Sequence, residues 1–128
     1  MHRLLAMTLL TLFLACDADP VAEAHIKASD ELTERYRQFP KWSIRSYAAG
    51  NDCQVLLVQT GQALTDNIVE AFQYGSPKYK VYEGGIQKFA ADRRFRAVTY
   101  RDVNERLWTY GATTEKEARS LEPCGSWP

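Results

Sequence analysis

The sequence predicts a single small α+β domain: a four-stranded antiparallel sheet built from two β-hairpins, flanked by an N-terminal helix and short helices. Three observations carry this. Val21, Ala24, Ala28, Leu32, Tyr36 and Phe39 recur every three or four residues, the period of a one-sided helix. Two pairs of short alternating or apolar stretches, 41–47 with 53–60 and 95–101 with 106–112, are each separated by turn-forming residues. Two further helical patterns lie between the pairs. The chain has 128 residues, 45% of them hydrophobic and 25% charged, enough for one core and ordinary for a globular protein.

Each element has its own local signals. Asp19-Pro20 starts the first helix, with Asp as cap and Pro in the first turn, and Pro40 ends the pattern. This predicts a helix over 20–38 that either packs on the domain or serves as a solvated spacer. Trp42 and Ile44 share one face of the first strand. Ala49-Gly50-Asn51-Asp52 turns the chain into the apolar run CQVLLVQT, residues 53–60. Thr65 and Asp66 cap a short helix through Ile68, Val69 and Phe72, stopped by Gly75 and Pro77. Gly84-Gly85 precedes a third helix through Ile86, Phe89 and Ala90 to about Arg93. In FRAVTYR, residues 95–101, alternation places Arg96, Val98 and Tyr100 on one face. Asp102-Val103-Asn104-Glu105 turns into RLWTYGA, residues 106–112. Thr113 or Thr114 caps a last helix, with Glu117 spaced for a capping box.

The first sixteen residues concern location. A short basic start, Met1-His2-Arg3, leads into Leu4–Ala15, which carries no charge. Twelve residues span roughly 18 Å as a helix, well short of the ~30 Å hydrocarbon core. The segment reads as an export signal, not a membrane span. With Ala15 followed by Cys16 at the apolar-to-polar boundary, it resembles the bacterial lipoprotein signal, the lipobox; Phe13 stands where that signal usually has Leu. The resemblance covers residues 1–16 alone. It implies removal of signal peptide 1–15, a diacylglycerol thioether on Cys16, a lipid anchor and short tether over 16–19, and a single domain over 20–128. It also implies a cell-envelope location, tethered to a membrane and facing the periplasm or exterior. Asp17 points to the inner membrane in a diderm host. An ordinary signal peptide cut after Ala18 or Ala24 is the competing reading.

Lipidation of Cys16 would leave Cys53 and Cys124 as an even pair in a compartment that permits disulfides. Their bridge would tie the C-terminal tail to the start of a strand. A metal site is the rival use of the two thiols, but neither belongs to a CxxC pair and His25 is the only histidine after the signal.

The charge is balanced, with 16 basic and 16 acidic residues, so no global field favours nucleic acid. Asp17 to Glu34 holds six acids and one Lys, whereas Ser76 to Arg106 holds eight basic residues and four acids. The sequence contains none of the spacings GxSxG, GxGxxG, HExxH or the P-loop. No catalytic residue, cofactor or metal ligand is therefore assigned, and His25 is expected at a surface or spacer position.

The distinctive stretch runs from Tyr74 to Tyr110. It places Tyr82, Trp108 and Tyr110 among Lys78, Lys80, Arg96 and Arg101, side chains that dominate protein interfaces and also suit anionic ligands. These seven are the candidate ligand- or partner-binding residues. The plainer alternative is that the aromatics pack one sheet face while the basic side chains solvate the other. The leading expectation is a non-catalytic envelope lipoprotein, a binding, inhibitor, immunity or accessory protein that meets an envelope protein. The alternatives are a binder of a small anionic or cell-wall-derived ligand, gripped by Lys78, Lys80 and the Arg residues, and an enzyme with a carboxylate site; the Gly84-Gly85 helix start beside Lys78 and Lys80 is a separate anion-site candidate, its plainer reading a tight turn.

Overall fold

The computed structural model describes residues 19–125. Residues 1–18, with Cys16 and the segment read as an export signal, and residues 126–128 lie outside the described residues. Within them the chain forms α1 (Pro20–Arg35), two 3-10 turns (Tyr36–Gln38 and Pro40–Trp42), β1 (Arg45–Ala49), β2 (Val55–Gln59), α2 (Asp66–Tyr74), α3 (Gly85–Asp92), β3 (Ala97–Arg101), β4 (Leu107–Gly111) and α4 (Glu115–Arg119).

The strand order is β1-β2-β3-β4. β1 with β2 and β3 with β4 pair antiparallel, but the central pair, β2 with β3, is parallel, from Val55↔Ala97 to Gln59↔Arg101. The sheet is mixed, which corrects the all-antiparallel expectation. The cause lies in residues 60–96. Antiparallel neighbours need only a turn, whereas parallel neighbours need a long crossover, usually helical. This connection carries α2 and α3 and returns the chain beside β2 in the same direction.

The helices α1, α2 and α3 cover one sheet face. Their Leu32, Phe72, Ile86 and Phe89 meet Leu56, Val58, Val98 and Tyr100, all buried. Tyr36, Trp42 and Tyr79 ring Phe72 at centroid distances of 5.6, 5.6 and 5.1 Å. The opposite face is thinner: Ala49, Val55, Leu57 and Ala97 are sealed by Leu121. α1 is thus packed on the domain, not a spacer. His25, expected at the surface, is buried; its ring stacks on Phe95 at 4.3 Å and its Nε2 lies 3.0 Å from the Arg93 carbonyl.

Capping follows the sequence signals. The Asp19 carboxylate accepts from the Val21 and Ala22 N–H groups, and Thr65 Oγ1 accepts from Ile68 N–H. Thr114 Oγ1 accepts from Glu117 N–H, but the Glu117 carboxylate does not close a capping box. Arg96 claims it, because a guanidinium fork is a stronger partner than one backbone N–H. Gly75 and Gly85 let α2 and α3 meet: a Cβ on Gly85 would sit 2.5 Å from Gly75 N, and Gly85 holds φ +77°. The glycine pair is accounted for by this close backbone approach.

Cys53 and Cys124 form a disulfide with Cα atoms 5.9 Å apart. It fastens the C-terminal segment across β1, where Cys124 N–H donates to the Ala48 carbonyl and Pro123 bridges to Ala49.

Candidate functional site

The structure separates six of the seven candidate residues into three places and leaves Lys78 by itself. Arg96 lies just before β3 and leaves the face that alternation assigned to it. Its Nε and Nη2 donate to Asp52 at 2.8 and 3.2 Å, and Nη1 and Nη2 donate to Glu117 at 3.0 and 2.6 Å. Nη1 also donates to the Ala112 carbonyl. One guanidinium thereby joins the β1–β2 turn, β3 and α4. Its bonds hold the Asp52 and Glu117 carboxyls below the usual carboxylate range, and they in turn raise Arg96. The two carboxylates converge, yet both are held ionised by a cation, the opposite of what a general acid requires. Arg101, on the same sheet face, donates from Nη2 to the Leu121 carbonyl and helps hold the C-terminal segment. Arg96 and Arg101 are thus engaged within the fold.

The second place surrounds Tyr82, in the loop before α3. Its hydroxyl donates to Asp92 at 2.6 Å, and the Arg35 and Arg93 guanidiniums lie 5.2 and 5.7 Å from its ring centroid. Lys80 and Lys88 flank the same shallow depression, of about 550 Å³. Every cation here has an acid: Arg35 and Arg93 share Glu31, Lys80 pairs with Glu83, and Lys88 with Asp92. Burial raises the Glu31 carboxyl, but the bonds from Arg93 and Arg35 outweigh it and hold it below its ordinary value. Lys78 lies apart, over the Tyr79 ring at 5.4 Å. Arg35 and Glu31 escaped the sequence reading because they come from α1, far from the basic-aromatic stretch; only the i,i+4 spacing of the two marked them as a pair.

The third place is the outer strand β4. Trp108 and Tyr110 project to the helix side, where no helix covers them fully. Trp108 Nε1 donates to Asp66 at 2.8 Å, and Arg106 lies 5.0 Å from the Trp108 ring. Tyr110 stands edge-on to Tyr100 and to Tyr74, at 6.1 and 6.2 Å, and Tyr74 is 52% exposed. Burial raises the Tyr110 hydroxyl pKa, helped by Tyr74 and by the Glu70 and Asp66 carboxylates. Tyr74 and Asp66 join this group only because α2 packs beside β4, which no local signal foretold.

The two outer strands are finished differently. On β1, the outward Ser46 N–H donates to Thr33 Oγ1 at 2.8 Å, and the outward Ala48 carbonyl accepts from Cys124 N–H at 2.7 Å. On β4, the bonds Ala112 N–H to Arg96 O and Asp102 N–H to Arg106 O identify the even-numbered residues as those turned toward β3. Leu107 and Thr109 therefore direct both backbone groups away from the sheet, and among the described residues no strand pairs with that edge. Thr109 is exposed, and its hydroxyl is 2.9 Å from that of Thr99.

Among the described residues, no three His, Cys, Asp or Glu side chains converge to hold a metal ion, and no helix is long and apolar enough to cross a membrane. No family model, curated protein or solved structure matches the chain.

Proposed function

We propose that this is a membrane-tethered, non-catalytic docking lipoprotein, anchored through Cys16 and meeting an envelope protein along β4. The observation that carries the docking role is the unfinished edge of that strand. Leu107 and Thr109 offer free backbone donors and acceptors beside Tyr74, Trp108 and Tyr110. An edge of this kind invites pairing with another chain unless something blunts it, and aromatic side chains supply most of the contact energy at such surfaces. The rest of the basic-aromatic stretch is committed internally at Arg96 and Arg101. Tethering follows from the lipobox resemblance. Asp19, the cap of α1, stands three positions beyond Cys16, so a chain cut and acylated there would keep the domain against the bilayer surface. Asp17 favours the inner membrane in a diderm host.

The test has two parts. A photo-crosslinking side chain at Tyr110 in the full chain, expressed in a bacterial envelope, is expected to trap a protein adduct that the same probe at exposed Val21 does not. Cys16→Ala should abolish palmitate labelling and release the protein from membranes. Equal adducts at both positions would defeat the docking role; unchanged labelling would defeat the anchor.

An anionic-ligand binder is the second reading. The four cations around Tyr82 favour it, but each already faces a carboxylate, so an incoming anion would have to displace one.

A further inference from the structure

We propose that the occupant of the β4 edge is a second copy of this chain, paired antiparallel to the first about a two-fold axis at Thr109. This rests on the docking role given to β4 above and names its partner. The register follows from the strand. A two-fold axis at the midpoint of Leu107–Gly111 overlaps all five residues and sets Thr109 opposite Thr109 of the copy. Thr109 turns its N–H and C=O outward, so these two residues exchange both hydrogen bonds. The Gly111 N–H, also outward, meets the Leu107 carbonyl of the copy.

In that register Trp108 stands opposite Tyr110 of the copy, twice. This is a pair without hydrogen bonds of its own, where facing side chains come closest and aromatic partners contribute most. The incompletely covered aromatics of β4 would thus cover one another.

Charge agrees with the same register. Arg106 falls opposite Ala112 of the copy, one step along the same face from Tyr110. Tyr110 has Glu70 and Asp66 close by. The cation beside Trp108 in one copy is therefore carried toward Glu70 beside Tyr110 in the other, and the exchange happens twice. The axis is normal to the extended sheet, so both helix layers lie on one side. Both α1 helices then lie on that side of the extended sheet. The opposite edge of the sheet offers no such site, because Thr33 and the Cys124 segment already satisfy β1.

The experiment is disulfide trapping in the full chain, kept in its membrane. Hydrogen-bonded cross-strand pairs have Cα atoms about 5.5 Å apart, within disulfide reach. Thr109→Cys is expected to give a covalent dimer on a non-reducing gel, about tenfold more than Val103→Cys, an exposed control in the β3–β4 turn. On the Thr109→Cys background, Arg106→Glu should lower the dimer about fivefold, and adding Glu70→Arg should restore it. Thr109→Pro should abolish association detected by a chemical crosslinker without unfolding the domain, since the lost N–H serves no internal bond. Dimer no greater for Thr109→Cys than for Val103→Cys overturns the proposal. If the Tyr110 photo-adduct then persists on a different protein and is lost in Thr109→Pro, the docking role stands with another occupant. If that adduct is also absent, both fall.

Discussion

Opening the Cys53–Cys124 disulfide should cost the domain a large share of its stability, and the size follows from where the bridge sits. The two cysteines are 71 positions apart. In the chain-entropy account, a loop of that length removes about 15 cal/mol/K from the unfolded ensemble, or about 4 kcal/mol at room temperature. A domain of this size gains about 0.2 kcal/mol/K on unfolding, so each kcal/mol moves the melting temperature by roughly 4–5 °C. The expected loss is therefore about 15–20 °C. Thermal melts of the protein, oxidised and reduced, measure it, with Cys53→Ala/Cys124→Ala separating loss of the bridge from other effects of the reductant. Hydrogen exchange adds a local readout. The Cys124 N–H, which donates to Ala48, should lose protection early, while amides of β2 and β3 keep theirs. A reduced form melting within about 5 °C of the oxidised form would refute the argument, since the loop constraint would then contribute little to the unfolded state.

Three further outcomes are expected. Asp102 is buried and accepts from the N–H groups of Leu64, Asn104 and Arg106 at 3.0, 2.9 and 2.9 Å. Asp102→Ala should cost about 2 kcal/mol in urea unfolding at neutral pH, because the buried Leu64 N–H and two part-buried N–H groups lose a charged acceptor. Burial raises this carboxyl, yet those three N–H groups outweigh it and hold it below its ordinary value, as Arg96 does for Asp52 and Glu117. A depressed folded pKa means stability that is fully present above the ordinary carboxylate range and lost as pH falls through the folded values. Urea midpoints should thus decline on acidification below about pH 4, less steeply in Asp102→Ala; equal slopes would count against the assignment. Phe72→Ala, which empties the centre of the Tyr36–Trp42–Tyr79 ring, should cost about 3–5 kcal/mol, read from the denaturant midpoint. Gly85→Ala should destabilise by about 1–3 kcal/mol and is checked the same way, because its Cβ would meet Gly75 N at 2.5 Å from a backbone at φ +77°.

Local chemistry was legible wherever a residue acts on its near neighbours. Asp19, Thr65 and Thr114 cap the helices their spacing predicts, since a cap needs only a side-chain oxygen and an N–H two or three residues on. The apolar run over 53–60 becomes β2, the most buried strand, because four consecutive apolar residues can be satisfied only between two covered faces. The pairing of Cys53 with Cys124, expected from parity on the reading that gives Cys16 to lipid, is formed.

Direction and partnership were not legible in the same way. Whether β3 lies parallel or antiparallel to β2 depends on how residues 60–96 cross the sheet, and no strand residue encodes that route. Arg96 reads as a candidate binding residue because the strand is expected to begin at Phe95, two residues before its observed start; only in three dimensions do Asp52 and Glu117, 44 and 21 positions away, close on it. The candidate site divides on the same line. Trp108 and Tyr110 stand out in composition, but their availability depends on which strand lies outermost and which edge the C-terminal segment covers. Covalent order sets the periodicities and caps because those forces reach one turn of chain. Packing sets the strand order and the open edge because those follow from contacts between residues dozens of positions apart.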